Sequence, residues 1–324
     1  MRSSCGFVLA FILSSLGLLD TSHAQLATPA RTITIVVPLA AGGGVDAIGR
    51  LLAEKLQDKL KQPVVVENRA GAGGTVGTDS VAKAAPDGHT LLLMESSAVL
   101  HKWLNRSVLF DVMADFAPVA RVATTPLLLF AHPSVAANDI RELIAYAKAN
   151  PGKLAVGTPG VGTPHHLAML MMNAAAGTDI THVPYRGTGP ALNDLLGGQI
   201  PLIWATPIAL MPHVAAGKVK ALGVASPRRV AQLAQAPTMI ESGWPDFVVE
   251  IWFGIAAPAR TPPAILARLA KEIQEITQLP DVQQRMRTLG FNLDYAGSEP
   301  FRQIIRDDHE KFGKVIAAAG IKAQ

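Results

Sequence analysis

Two glycine-rich runs, each following an apolar segment and each opening a helical pattern, carry the chemistry of this chain. The first is Pro38-Leu-Ala-Ala-Gly-Gly-Gly-Val-Asp46 and the second is Gly157-Thr-Pro-Gly-Val-Gly-Thr-Pro-His-His166. A helix start leaves its first backbone N–H groups without intrahelical partners and presents the positive end of the helix dipole. Such a start seats a carboxylate or a phosphate. In the first run Gly42 to Gly44 allow backbone conformations closed to other residues and leave room for a ligand. Asp46 falls in the first helical turn, where it caps the helix and can pair with Arg50 at i+4. In the second run Gly160 and Gly162 free the backbone, Thr158 and Thr163 add hydroxyls, Pro164 suits a first helical turn, and His166 closes the run. Two such helix starts facing one another can clamp a carboxylate without an arginine, each charged hydrogen bond contributing about 1.5–3 kcal/mol. Ser96, Ser97 and Thr206 follow strands and are expected secondary contacts. Glu95 is expected to point away from the anion, and Arg186 to be a solvated loop charge.

Other chemistries are poorly supported. Gly42 to Ala47 fits Gly-x-Gly-x-x-Ala, and Glu67 ends the next strand, but Pro38 to Ala41 separate strand from glycine, against a dinucleotide fold. Ser80-Val-Ala-Lys83 fits Ser-x-x-Lys, so the alternative reading is an exported hydrolase or acyl transferase using Ser80 and Lys83. No Lys-Thr-Gly or Ser-Asp-Asn accompanies that pair, and no Gly-x-Ser-x-Gly occurs. His165 and His166 are adjacent, pointing about 100° apart on a helix, and no His-x-x-x-His pair exists, so neither a metal nor a cofactor is expected. The chain reads as non-catalytic.

The segments that must position these loops alternate between apolar runs and helical patterns, the mark of an α/β protein with largely parallel sheets. One series runs through strand Ile33–Val37, a helix with Ile48, Leu51, Leu52 and Leu56 on one face, strand Val64–Val66, a helix over 71–84 and strand Leu91–Met94. A second starts at Pro126–Phe130 and ends at strand Ala221–Ala225. The late strand Phe253–Ala256 needs a sheet to join, so two lobes with an interlobe cleft are expected, crossed near 120–126 and 225–230. That divides the chain into lobe 1 (25–124 plus 226–324) and lobe 2 (125–225). Thr261 and Ser298 are expected N-caps of late helices.

Met1-Arg2, the apolar run from Gly6 to Leu19 and the small-x-small Ser22-His23-Ala24 together read as a cleaved signal peptide, residues 1–24, with Gln25 as mature start. The apolar run falls short of the roughly 20 residues that span a bilayer. Cys5 is the only cysteine and lies in that leader, so no disulfide is expected after cleavage. An apolar fraction of 49% can supply cores, and the net charge of +4 is scattered. Without a basic block, a nucleic-acid partner is not expected, while small anions are favoured mildly. A periplasmic, monomeric protein is the expectation.

Across essentially the whole mature chain, ordered motifs resemble one family. They are Pro38-x-x-x-Gly42-Gly43-x-x-Asp46, Val66-Glu-Asn-Arg-x-Gly-Ala-Gly-Gly74, Ala85-Pro-Asp-Gly88, Asn150-Pro-Gly-Lys153 and Gly160-x-Gly-Thr163. His182-Val-Pro-Tyr-Arg-Gly187, Asp194-Leu-Leu-Gly-Gly-Gln199, Pro237-Thr238, Glu241-x-Gly243, Ala257-Pro258 and Thr261-Pro262 continue them. The chain resembles the Bug-type extracytoplasmic solute receptors, the substrate-binding proteins of tripartite tricarboxylate transporters. The resemblance implies a two-lobed, type II-like periplasmic binding protein that closes on a small carboxylate and delivers it to membrane permease subunits. It also implies that Ala40 to Gly43 and Thr158 to His166 hold the carboxylate through backbone N–H groups and ordered water. Leu39 stands where the family commonly has an aromatic residue and His89 where Tyr is usual. Pro201 and Ala205 occupy the region where many members carry an acid, which favours a plain mono- or dicarboxylate over an amino acid.

Overall fold

A computed structural model describes residues 31–42, 44–105 and 108–318. The expected leader and Gly43 lie outside the described residues. The β-branched run of β1 (Ile33–Val37) is followed by α1 (Gly44–Leu60), which buries Ile48, Leu51, Leu52 and Leu56 on one face. Next come β2 (Val64–Asn68), a 3-10 turn at Ala72–Gly74, α2 (Thr75–Ala82), β3 (Thr90–Glu95), the short α3 (His101–Leu104) and the long β4 (Phe116–Pro126). A second series holds β5 (Leu128–Ala131), α4 (Ile140–Ala149), β6 (Ala155–Thr158), α5 (Pro164–Ala176) and β7 (Thr181–Pro184). It continues with α6 (Thr188–Leu196), β8 (Leu202–Ala205), α7 (Pro207–Ala215) and β9 (Lys220–Val224). The chain closes with β10 (Glu250–Pro258), α8 (Pro263–Thr277), α9 (Pro280–Thr288), β11 (Asn292–Gly297) and α10 (Ser298–Ala318).

Two sheets result, ordered β11-β4-β10-β3-β1-β2 and β7-β6-β8-β5-β9. They are mixed rather than largely parallel. In the first, β1 runs parallel to β2 and β3, but β10 is antiparallel to both β3 and β4, and β11 is antiparallel to β4. In the second, β6 is parallel to β7 and β8, while β5 is antiparallel to β8 and β9. The strands that run against the rest are β5, on which the chain enters the second sheet, β10, on which it returns to the first, and β11. Part of β4 was expected to be a connection. It is buried along nearly its whole length, so it lacks apolar–polar alternation. Pro118, which has no N–H for a ladder, sits where its register against β10 shifts.

Only Leu127 separates β4 from β5. The Ala225 N–H donates to the Leu127 carbonyl (2.8 Å), and the Val249 N–H donates to the Ala225 carbonyl (2.9 Å). Residues 226–248, expected with the first lobe, instead stay against the second sheet. There the Met239 N–H donates to the Val224 carbonyl (2.8 Å) and Arg141 Nε to the Ser242 carbonyl (3.4 Å). The chain therefore recrosses at Val249 and not at 225–230. The expected caps also differ. Pro262 occupies the N-cap of α8, leaving Thr261 Oγ1 buried without a partner among the described residues. Ser298 is already helical and its hydroxyl donates to the Val119 carbonyl (2.9 Å), tying α10 to β4.

The carboxyl ends of β1, β2 and β3 lie on the edge where β4 ends and β10 begins, since Glu250 pairs with Pro126. In the second sheet Ala205 pairs with Leu128, the first residue after the crossing, and β6 and β7 share the direction of β8. Both sheets therefore turn their strand carboxyl ends to the crossing, the edge where open α/β sheets hold ligands.

Candidate functional site

The first-sheet loop is shaped by a buried acid. Asp46 Oδ2 accepts the Gly42 N–H (2.9 Å) and Arg50 Nε (2.9 Å), and Oδ1 accepts Asn68 Nδ2 (3.0 Å). Asn68 Nδ2 also reaches the Leu39 carbonyl (3.1 Å), so β2 braces the loop. Burial alone would raise the Asp46 carboxyl; hydrogen bonds from Arg50, Gly42 and Asn68 outweigh it and hold the group below its ordinary 3.8. Asp46 is thus a staple that fixes the loop, with its acceptor sites occupied. Gly42 adopts φ +88° with no atom within 4 Å of an added Cβ, so the need for glycine is conformational. Ala40 and Ala41 are exposed, and among the described residues their N–H groups have no acceptor.

The second-sheet loop gathers five of the expected residues. Buried Thr158 places Oγ1 2.7 Å from His182 Nε2 and accepts the Gly160 N–H (3.3 Å). Thr163 donates its hydroxyl to the Gly160 carbonyl (2.8 Å) and accepts the His166 N–H (3.3 Å) as N-cap of α5. The Gly162 N–H donates to His166 Nδ1 (3.4 Å), which requires that nitrogen to be unprotonated. Burial, reinforced by His182, depresses His166 to about 4, and burial lowers His182 as well. The Gly160 and Gly162 amides are therefore held within the loop. The N–H groups of Val161 and Thr163 have no acceptor among the described residues.

A third element was not among the expected site residues. His101 Nε2 lies 3.0 Å from the Gly73 carbonyl, and a Cβ on Gly73 would lie 3.8 Å from the Val161 carbonyl. A Cβ on Gly162 would lie equally close to that of Leu104. The β2–α2 loop and α3 thus approach the second-sheet loop, and Leu167 of α5 belongs to the same buried cluster as Leu92, Met94 and Val99. The glycine run 71–74 is the signal that could have found this contact. Burial depresses His101 to about 4, so it stays neutral.

The secondary contacts divide. Ser97 Oγ donates to Glu95 Oε1 (2.6 Å), and burial pushes that carboxyl up. Ser96 Oγ is buried without a partner among the described residues. Thr206 is the N-cap residue of α7 and makes no capping hydrogen bond. Arg186 is exposed, while neighbouring Tyr185 donates its hydroxyl to Asp194 (2.7 Å). Ser80 and Lys83 do not form a nucleophile and base. Ser80 Oγ donates to the Gly77 carbonyl (2.7 Å), and Lys83 Nζ pairs with Asp79 (2.6 Å). Among the described residues no cluster of metal-ligating side chains occurs, and no helix is long and apolar enough to cross a membrane.

Two α/β sheets joined by paired crossings, with glycine-rich strand-to-helix loops on the edges turned to those crossings, define a two-lobed periplasmic binding protein. The sequence places it further. Residues 48–321 match the model of the tripartite tricarboxylate transporter family receptor, TctC, and the chain belongs to that family, whose members are solute receptors and not enzymes. It is 38% identical over 296 residues to protein BugT of Bordetella pertussis, covering 91% of each chain. Its fold matches the periplasmic binding protein BugD with a TM-score of 0.83 at 36% identity, covering 91% of this chain and 100% of BugD. MatC of Rhodopseudomonas palustris, solved with bound malate, matches with a TM-score of 0.79 at 33% identity, covering 89% and 99%.

Proposed function

We propose that the protein captures a small carboxylate between its two lobes and presents it to the membrane subunits of a tripartite tricarboxylate-type transporter. Lobe 1 is then 31–126 with 250–318, and lobe 2 is 127–249. The observation that carries this reading is the set of uncommitted backbone N–H groups on the loops that lead into two helices, Ala40 and Ala41 before α1 and Val161 and Thr163 before α5. Backbone amides beside helix dipoles select a carboxylate without a side-chain cation. Arg50, the cation nearest the first loop in sequence, is engaged by Asp46. The malate in the related MatC fits the same ligand class. The leader fits export with cleavage before Gln25, checked by N-terminal sequencing of the periplasmic protein.

The experiment is thermal unfolding of the mature protein against mono-, di- and tricarboxylates and amino acids. A ligand at 100 times its dissociation constant adds about 2.7 kcal/mol, a shift of roughly 5–11 °C at about 2–4 °C per kcal/mol. A shift with one carboxylate, recovered chemically unchanged, is the expected result. No shift with any carboxylate, for protein first unfolded and refolded to strip a copurified ligand, would sink the proposal.

A further inference from the structure

A cavity of about 900 Å³ opens at the strand crossing, lined by none of the loop residues above. Thr124, Glu250 and Arg287 line it from the first-sheet side, and Pro207, Arg228 and Arg229 from the second-sheet side. Several of its charges are already matched. Arg229 pairs with Glu241 (2.8 Å), and Asp294, also at the cavity, pairs with Arg121 (2.8 Å). Two guanidinium groups have no hydrogen-bonded acid. Arg228 makes no side-chain hydrogen bond or ion pair among the described residues and acts on Glu250 only through space, and Arg287 donates only to neutral Gln284 Oε1 (3.1 Å). The half-buried Glu250 carboxyl accepts no hydrogen bond. Burial, then the charge of Asp294, shift it towards its protonated form, against the smaller pull of Arg121 and Arg228.

We propose that this cavity is a second ligand site, which takes a small oxyanion bearing at least two negative charges between Arg228 and Arg287. The volume lies within the range of small-molecule sites. Two guanidinium groups without a hydrogen-bonded acid supply the planar, bidentate donors that carboxylate and phosphate oxygens fit. Because the walls come from both sheets, occupancy favours one mutual arrangement of the lobes. If the cleft closes as proposed above, the two sites influence one another's affinity reciprocally. The site itself does not depend on that reading.

The test is calorimetric titration of the mature protein with citrate and, separately, with pyrophosphate, the two arms distinguishing carboxylate from phosphate chemistry. Arg228→Ala and Arg287→Ala are compared with Arg306→Ala, an exposed arginine that does not line the cavity, and with Thr158→Val in the cleft loop. Both cavity arginines are exposed, and unchanged unfolding temperatures would confirm that the variants fold. At least one probe is expected to bind, about tenfold more weakly in each cavity variant and as in wild type in Arg306→Ala. Binding of neither probe, or binding unaffected by both cavity substitutions, overturns the proposal. Binding lost only in Thr158→Val also overturns it, since it puts the anion in the cleft and supports the first reading instead.

Discussion

The imidazole rings of His166 and His182 lie stacked, their centroids 4.2 Å apart and their planes 14° from parallel. One belongs to the first turn of α5 and the other to β7, so the stack joins the start of the loop-bearing helix to the neighbouring strand. Protonating His166 at Nδ1 removes the acceptor of the Gly162 N–H, and protonating both rings sets two like charges face to face.

Stability is therefore expected to rise with pH between about 4 and 6.5. Burial depresses His101 and His166 to about 4 and His165 to about 3. Between those values and the ordinary 6.5, the unfolded chain binds protons that the native protein refuses. Stability is thus full above 6.5 and is lost as pH falls, by at most about 1.4 kcal/mol per pH unit for each histidine. Raised Glu95 acts in the opposite direction, so the comparison is between wild type and His165→Leu. Urea midpoints from pH 7 to 4.5 should show a shallower slope in the variant; equal slopes would refute the assignment.

Thr158→Val is expected to cost about 1–3 kcal/mol, because the Gly160 N–H and His182 Nε2 lose a buried partner while side-chain volume hardly changes. Carboxylate affinity should fall with it, since the same hydroxyl shapes the loop that presents the Val161 and Thr163 amides. Denaturant midpoints and dissociation constants measured on one preparation check both.

Asp46→Asn keeps the shape but removes the charge that binds Arg50 and the Gly42 N–H, with an expected loss of about 1–3 kcal/mol at pH 7. A depressed carboxyl contributes stability that is complete above its unfolded value and lost as pH falls through the lower native value. The difference between wild type and variant should therefore shrink below about pH 4, the ordinary aspartate range. A constant difference from pH 7 to 3 would show that the charge is not the cause.

Gly77→Ala offers a test with an unusual sign. In an open helix the change stabilises by about 1 kcal/mol. Here an added Cβ would lie 2.6 Å from the Arg69 carbonyl and 2.7 Å from Pro38 Cα, both backbone atoms that cannot swing aside. A net loss of about 1–3 kcal/mol is expected. A gain in the unfolding midpoint would mean that α2 does not pack against the Pro38 loop as described.

Much of this architecture is written in local periodicity. Ile48, Leu51, Leu52 and Leu56 announce α1 because a helix half-buried on a sheet must repeat near 3.6 residues. The two loops proposed to hold the ligand are legible because their glycines fall between a strand and a helix. β4 was missed in part because a strand covered on both faces carries no alternation, and β11 because its half-buried sequence Asn-Leu-Asp-Tyr-Ala-Gly lacks an apolar run. The pairing of Thr158 with His182, and the approach of Gly73 to Val161, join residues far apart in sequence. Neither leaves a mark in spacing. Asp46 was legible as a cap and a partner for Arg50, but its hold on Asn68 was not.

The strand order of the first sheet bears on how the molecule is made. β10 inserts between β3 and β4, bringing Phe253 beside Glu95 and Gly254 beside Met94. The second sheet draws only on residues 128–224, a continuous stretch that can assemble as soon as it emerges. A chain emerging amino end first must therefore hold β1 to β4 without their central partner until Pro258 has cleared. Such long-range pairing is slow and leaves apolar strand edges bare meanwhile. Under the proposed export of an unfolded chain, that delay keeps the first lobe unfinished until most of the chain has crossed.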